Sequence, residues 1–294
     1  AAEIQRVLKA FYSVVKGTEA QQRFVLLTGV SKFSKVSVFS DLNNLTDLTM
    51  SRAAATLLGY TQVELESNFP EHIAALAAAL GKTYDATLAE LRYWYNGYRF
   101  HPEAEAVYNP VSVMKCFQER EFKNYWFETG TPTFLIDLLR RTPVDLGELS
   151  AAETDFSTYD PTNLAALPLL VQTGYLTIKD AAMSGRDRLF RLGYPNYEIE
   201  QSFSRWLAQG FSALPGEELS GALQRMLRAL DAGDVRAMLE TLRIFFAGIP
   251  NDITIANEKY YQTIFFSVFR LLGAVVEAEM RTNIGRIDAV VKTK

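Results

Sequence analysis

The sequence is poor in the groups that most often carry chemistry. It holds one cysteine, Cys116, and two histidines, His72 and His101. A lone cysteine excludes an intramolecular disulfide and fits a reducing compartment, so a cytoplasmic protein is expected. As a nucleophile Cys116 would need a neighbouring base, and neither histidine stands in a context that suggests one. No stretch approaches the ~18 consecutive apolar residues that a membrane span requires, and no signal peptide opens the chain. No membrane partner is expected. A basic surplus is missing too: 30 Lys and Arg against 34 Asp and Glu leave a net charge of -4 and a pI near 5.4. That argues against a generally basic nucleic-acid binder while leaving a local basic face open. There is no G-x-x-x-x-G-K-[ST] run and hence no phosphate-cradling loop of the chain's own. What remains is an ordinary globular composition, 48% hydrophobic and 22% charged over 294 residues, long enough for two or more cores.

The pattern along the chain predicts a mainly helical α+β protein. Ile4, Val7, Leu8, Phe11, Tyr12 and Val15 follow helical spacing. Arg23 to Val30 is a short apolar run ending in Thr28-Gly29, the form of a fully buried strand in a parallel sheet. Function in such sheets gathers at the carboxyl ends of strands. That end carries Thr28, Ser31, Lys32, Ser34 and Lys35, whose hydroxyls and ammonium groups suit phosphate; capping serines in a plain loop are the other reading. Thr61 and Glu64 have the spacing of a capping box. Pro70 opens a helix closed by Gly81, and another is expected from Thr83 to Tyr95. Tyr93, Trp94, Tyr95, Tyr98 and Phe100 could stack bases, or could be core with their hydroxyls tied to backbone. Short helices are expected over Val111 to Gln118 and Thr133 to Arg140, the second with Thr131 as cap and Pro132 at its first position. A helix over Leu164 to Val171, strands over Tyr175 to Lys179 and Arg188 to Leu192, and a helix from Tyr197 to about Leu207 give the outline of a winged-helix unit. Arg186, Arg188 and Arg191 could touch phosphate there, or the unit could be a packing module. Glu217 to Phe246 reads as a helical pair broken at Asp231 to Asp234.

The last stretch, Tyr260 to Lys294, predicts a long apolar helix, a strand, a tight turn and a second strand. Asp288 stands inside the apolar run Ile287 to Val291. A carboxylate there is costly to bury unless a cation or a donor meets it, which makes Asp288 the best metal-ligand candidate. Glu277 and Glu279, two apart on the first strand, share one face; they either join Asp288 or line a solvent-facing edge. Both ends read as cut. The chain starts without methionine, directly in a helical pattern, and stops before a further strand. A two-strand stub with an apolar helix is expected to be disordered, swapped or packed on a neighbour.

Several pieces resemble the bacterial AAA-ATPase-like proteins fused to a PD-(D/E)xK nuclease-like domain. They are RFVLLTGVSKFSKVSVFSDLNNL (23–45), RYWYNGYRF (92–100), VYNPVSV (107–113), FKNYWFETGTPTFLIDLL (122–139), LLVQTGYLTIKD (169–180), RLGYPNYEI (191–199) and RTNIGRIDAVV (281–291), in the family's order. The resemblance implies the tail of a P-loop ATPase core over residues 1–60 and a helical region over 61–150. It further implies a winged-helix-like unit over 151–215, a helical connector over 216–256 and the first half of a nuclease-like domain over 257–294. It implies ATP and Mg²⁺ as cofactors of the parent protein, with the Walker motifs and the E-x-K strand absent from this sequence. Thr28 and Ser31 then fall where such ATPases sense the γ-phosphate, with Lys32 beside them. Asp288 matches the first nuclease aspartate, and Glu258 is the helix glutamate by position.

Three functions follow as expectations. The parent is an ATP-driven, Mg²⁺-dependent nuclease-like enzyme acting on nucleic acid, with this chain alone inactive. Or it is a nucleotide-regulated interaction protein with a degenerate nuclease domain. Or it is a DNA-binding module working through the winged helix. A homo-oligomer, the missing ATPase core and the missing nuclease half are the other expected partners.

Overall fold

The computed structural model describes residues 2–29, 45–126, 133–142, 144–146, 149–156, 165–249, 258–282 and 285–292. They form a mainly helical α+β protein with small antiparallel sheets. The chain divides into two units that interleave along the sequence. One holds Ala1–Ala74, Asn96–Pro110 and Ser150–Pro195; the other holds Ala75–Tyr95, Val111–Leu149 and Asn196–Lys294.

In the first unit the expected opening helix is α1 (Ala2–Gly17). The expected strand after it is not formed. Residues 24–29 take neither helix nor strand, and Phe24, Val25 and Leu26 are 79%, 36% and 56% exposed. A strand buried on both faces needs neighbours on both edges, and no sheet among the described residues includes this run. The capping box is present at α2 (Gln62–Asn68). Thr61 Oγ1 accepts from the Glu64 amide at 3.2 Å, and Glu64 Oε2 accepts from the Thr61 amide at 2.9 Å. Two short strands, β1 (Asn96–Tyr98) and β2 (Val107–Tyr108), pair antiparallel, and Tyr108 bridges Tyr60 as well. A second sheet has the order β3-β5-β4, built from β3 (Ser150–Ala152), β4 (Thr177–Ser184) and β5 (Asp187–Gly193). Helix α7 (Ala166–Gln172) precedes the β4–β5 hairpin, and Gly174, at φ +82°, turns the chain between them. The left-handed conformation there is one that glycine adopts without strain. The helix-then-hairpin order matches expectation; β3 does not appear in it, because three residues carry too little pattern to read.

The two small sheets of this unit are tied by buried polar bonds. Thr177 Oγ1 accepts from the Arg99 amide at 2.7 Å and donates to the Arg99 carbonyl at 3.0 Å. The irregular pairing in the middle of β1 demands glycine. Gly97 sits at φ +131°, and a Cβ there would stand 1.9 Å from the Pro195 carbonyl oxygen.

The second unit is built of helices. Helix α3 (Pro70–Leu80) leads into it, and α4 (Tyr84–Tyr95) follows; both match the expected bounds within a residue. Then come α5 (Pro110–Glu119), which begins at the last residue of the first unit, and α6 (Thr133–Arg141). The proposed cap Thr131 and Pro132 lie outside the described residues. Helix α8 (Tyr197–Ser212) runs through the middle, with Ile199, Phe203 and Leu207 fully buried, and α4, α6, α9 and α11 pack on it. Helices α9 (Gly216–Asp231) and α10 (Val235–Ala247) form the expected pair. Gly233 breaks them, and Asp234 caps α10 by accepting from the Ala237 amide at 2.9 Å. The unit closes with α11 (Glu258–Leu271), β6 (Val275–Thr282) and β7 (Gly285–Lys292). The apolar face of α11 is not left open. Tyr260, Ile264, Val268 and Phe269 are buried, and the helix packs on α8, where Arg270 Nη1 donates to Glu200 Oε1 at 2.5 Å.

Candidate functional site

The C-terminal helix and hairpin hold the predicted metal residues. Helix α11 ends in a turn at Gly273, where the Gly273 amide donates to the Arg270 carbonyl at 2.9 Å and the Ala274 amide to the Phe269 carbonyl at 3.0 Å. The chain then enters β6, which pairs antiparallel with β7. Ala278 stands opposite Ala289 and Met280 opposite Ile287, so the register brackets Glu279 across from Asp288. Directly opposed residues of an antiparallel pair lie on the same face. Glu277 faces Val290 in the same register, so Glu277, Glu279 and Asp288 share that face. Glu258 is the first residue of α11, about 20 Å of helix from its end. The backbone thus brings Glu279 to Asp288 and leaves Glu258 at the far end of its helix. Among the described residues no group of three His, Cys, Asp or Glu stands ready for a metal.

The predicted phosphate residues fare differently. Thr28 is exposed in the irregular stretch 24–29, whereas Ser31, Lys32, Ser34 and Lys35 lie outside the described residues. On the β4–β5 hairpin two of the three arginines lie beside acids. Arg188 lies 3.6 Å from Glu103 and Arg191 3.8 Å from Asp180. The Arg188 guanidinium also sits over the Phe190 ring.

The aromatic run splits between the units. Tyr95 is core: its hydroxyl donates to the Lys123 carbonyl at 3.0 Å and accepts from the Lys123 amide at 3.2 Å. Tyr93 is half exposed and stacks on Tyr197 at 4.7 Å between ring centroids. Cys116 is fully buried, and burial pushes its thiol up to about 12, which removes it as a nucleophile.

One residue that the sequence reading passed over has the most distinctive environment. Glu198, in the first turn of α8, is fully buried. Its Oε1 accepts from the backbone amides of Tyr125 at 2.7 Å and Trp126 at 2.9 Å. Ser112 Oγ lies 2.9 Å from Oε2 and 3.1 Å from Oε1. Desolvation raises the carboxyl above its ordinary range, opposed by these three partners. An acid in the first turn of a helix ordinarily reads as a solvated complement to the helix dipole, so its position in the sequence gave no sign of burial.

The comparisons with known proteins fit the two-ended layout. Residues 1–39 match the family described as Predicted AAA-ATPase, and residues 256–294 match the PD-(D/E)XK nuclease superfamily. The expected order, ATPase-like region first and nuclease-like region last, is borne out. An uncharacterized protein in the vnfD 5′ region of Azotobacter chroococcum mcd 1 is 39% identical over 302 aligned residues, covering 99% of this chain and 55% of that protein. The chain thus spans about half the length of the curated relative it matches. No solved structure matches. Among the described residues no helix is long and apolar enough to cross a membrane.

Proposed function

We propose that the chain belongs to an ATP-switched, Mg²⁺-dependent nuclease-like protein that acts on nucleic acid in the cytoplasm. One observation carries this reading: the nuclease-superfamily match spans α11, β6 and β7, and Asp288 lies on the second strand with Glu279 opposite it. Two carboxylates on one face of a hairpin suit a hard divalent cation in ligand type. Asp288 and Glu279 are the residues of this chain that would hold the ion, with Glu258 the weakest of the three by its place on α11. Bound Mg²⁺ would supply Lewis-acid polarisation of a phosphoryl oxygen and an activated water. The chain's own part is to carry the two residues on the paired strands β6 and β7. At the other end, Thr28, Ser31 and Lys32 are the phosphate-facing candidates of this reading, and they fall within residues 1–39 of the ATPase-like match. A homo-oligomer is part of this reading.

The test is a cleavage assay on the complete gene product, with single- and double-stranded DNA and RNA, Mg²⁺ and ATP. Cleavage that needs both cofactors and is lost in Asp288→Asn is expected. Cleavage unchanged by that substitution removes Asp288 from the site.

A second reading is a nucleotide-regulated interaction protein with a degenerate nuclease domain. It is compatible with the β4–β5 hairpin, whose Arg188 and Arg191 lie beside Glu103 and Asp180. It predicts ATP-dependent binding of a protein partner with no cleavage of any nucleic acid offered.

A further inference from the structure

We propose that Glu198 is held in the folded protein as a neutral carboxylic acid whose proton joins α8 to Ser112 on α5. The geometry of the two oxygens carries this. Oε1 receives both backbone amides, as the carbonyl oxygen of an acid would. Oε2 meets only a hydroxyl, that of Ser112 at 2.9 Å, and a hydroxyl can accept a proton as readily as donate one. Every contact of the carboxyl is thus satisfied with Oε2–H donating to Ser112 Oγ. The side chain is 0% exposed, and no lysine or arginine among the described residues pairs with it. A buried carboxylate without a cation is costly, and loss of its charge is the usual remedy.

The surrounding groups do not supply a counter-charge. Helix α4 contributes Tyr95 and Glu90, and α5 contributes Lys115, Cys116 and Glu119. Lys123 pairs with Glu119 and lies 3.8 Å from Glu121. Lys115 and Lys123 stand over the Tyr125 ring at 6.0 and 5.3 Å. On α8, Tyr197 bonds Gln201 and Glu200 bonds Arg270 of α11. Desolvation, the largest influence on Glu198, favours the neutral form, and the nearby Tyr95 and Cys116 are uncharged by the same cause.

The sign follows from linkage. A carboxyl raised above its unfolded value near 4.5 contributes stability that is fully present below that value and is lost as pH rises through the folded pKa. Ionisation leaves an anion buried without a cation, and the amides of Tyr125 and Trp126 offset only part of that desolvation. The proposal is independent of the nuclease reading, because Glu198, Ser112, Tyr125 and Trp126 all lie outside α11, β6 and β7.

Glu198→Gln separates the possibilities. The amide mimics the neutral acid: its carbonyl takes the two amides and its NH₂ donates to Ser112. The variant is expected to match the wild type in melting temperature at about pH 5 and to exceed it at about pH 8, with the wild-type decline between them removed. Infrared difference spectra of wild type minus variant are expected to show a protonated-carboxyl band in the folded protein at about pH 6 that is absent after unfolding. Ionised carboxylate bands there, or a Gln variant less stable than wild type across the whole range, would overturn the proposal. Should the Gln variant fail to fold, Ser112→Ala with the same spectra decides: a neutral acid keeps its band, shifted by loss of the hydroxyl partner, and a carboxylate shows none.

Discussion

The Tyr95 hydroxyl grips both polar groups of one residue, donating to the carbonyl of Lys123 and accepting from its amide, at 3.0 and 3.2 Å. The ring is fully buried between Phe122 and Tyr125, its centroid 6.0 and 6.2 Å from theirs. Together with Glu198 of α8, which accepts from the amides of Tyr125 and Trp126, this hydroxyl fixes the chain over residues 123–126.

Tyr95→Phe keeps the ring and deletes the hydroxyl. It leaves an amide and a carbonyl without this partner in the core, so a loss of roughly 1–3 kcal/mol is expected. Urea denaturation at fixed slope measures it. An unchanged midpoint would show that water reaches the Lys123 backbone.

The capping box offers a smaller effect. Thr61→Ala removes the side-chain half of the reciprocal pair at α2 and should cost about 1 kcal/mol. The Thr61 amide and hydroxyl hold the Glu64 carboxyl below its usual range. Its contribution is therefore present above the unfolded value of 4.5 and lost as pH falls through the lower folded value. An acid titration of stability in Thr61→Ala should keep that step in reduced form, because the Thr61 amide, the larger cause, survives the substitution while the hydroxyl is lost.

How far the sequence disclosed this structure depends on the range of the force responsible. Helix ends were legible because their signals are local. Thr61 with Glu64, Pro70, Gly81, Gly174 and Gly233 all stop or start helices where expected. The hairpin and terminal helix were legible through periodicity. The run Phe24 to Thr28 was misread because apolar, β-prone residues report that a chain suits a strand, and the edges that would make it one lie elsewhere. Glu198 was missed for the opposite reason: its meaning lies in Ser112 and in the backbone of Tyr125 and Trp126, more than seventy residues away. Asp288 stood out by sequence because its neighbours are aliphatic, whereas its pairing with Glu279 depends on a register that only the fold supplies.

Gly97 sets a steric limit. At φ +131° and with the Pro195 carbonyl where a Cβ would lie, Gly97→Ala must move backbone. A loss of roughly 2–4 kcal/mol is expected. Faster proteolysis under native conditions, with cuts in the β1–β2 region, is the accompanying sign; wild-type resistance would mean that the turn relaxes freely.

Cys116 should resist thiol reagents. A thiol pushed up to about 12 is almost wholly protonated near neutral pH, and the residue is also fully buried. Labelling by iodoacetamide is expected to be slow in the native protein and complete on unfolding, so its rate reports opening of the α4–α5 packing. Rapid native labelling would contradict both the burial and the raised pKa.

The hairpin acids provide a direct test of the metal reading without relying on turnover. If Glu279 and Asp288 share one ion, substituting either should weaken Mn²⁺ binding, and the double substitution should weaken it little beyond the single Asp288→Asn, because two ligands of one ion are not independent. If they act apart, the losses add. Glu258→Gln, at the far end of α11, should leave Mn²⁺ affinity within about twofold, given the roughly 20 Å of helix between it and the turn into β6. Titration by electron paramagnetic resonance on the complete gene product measures all four variants. A loss in Glu258→Gln as large as in Asp288→Asn would show that the first turn of α11 folds back onto the hairpin face, and would return that glutamate to the centre of the site.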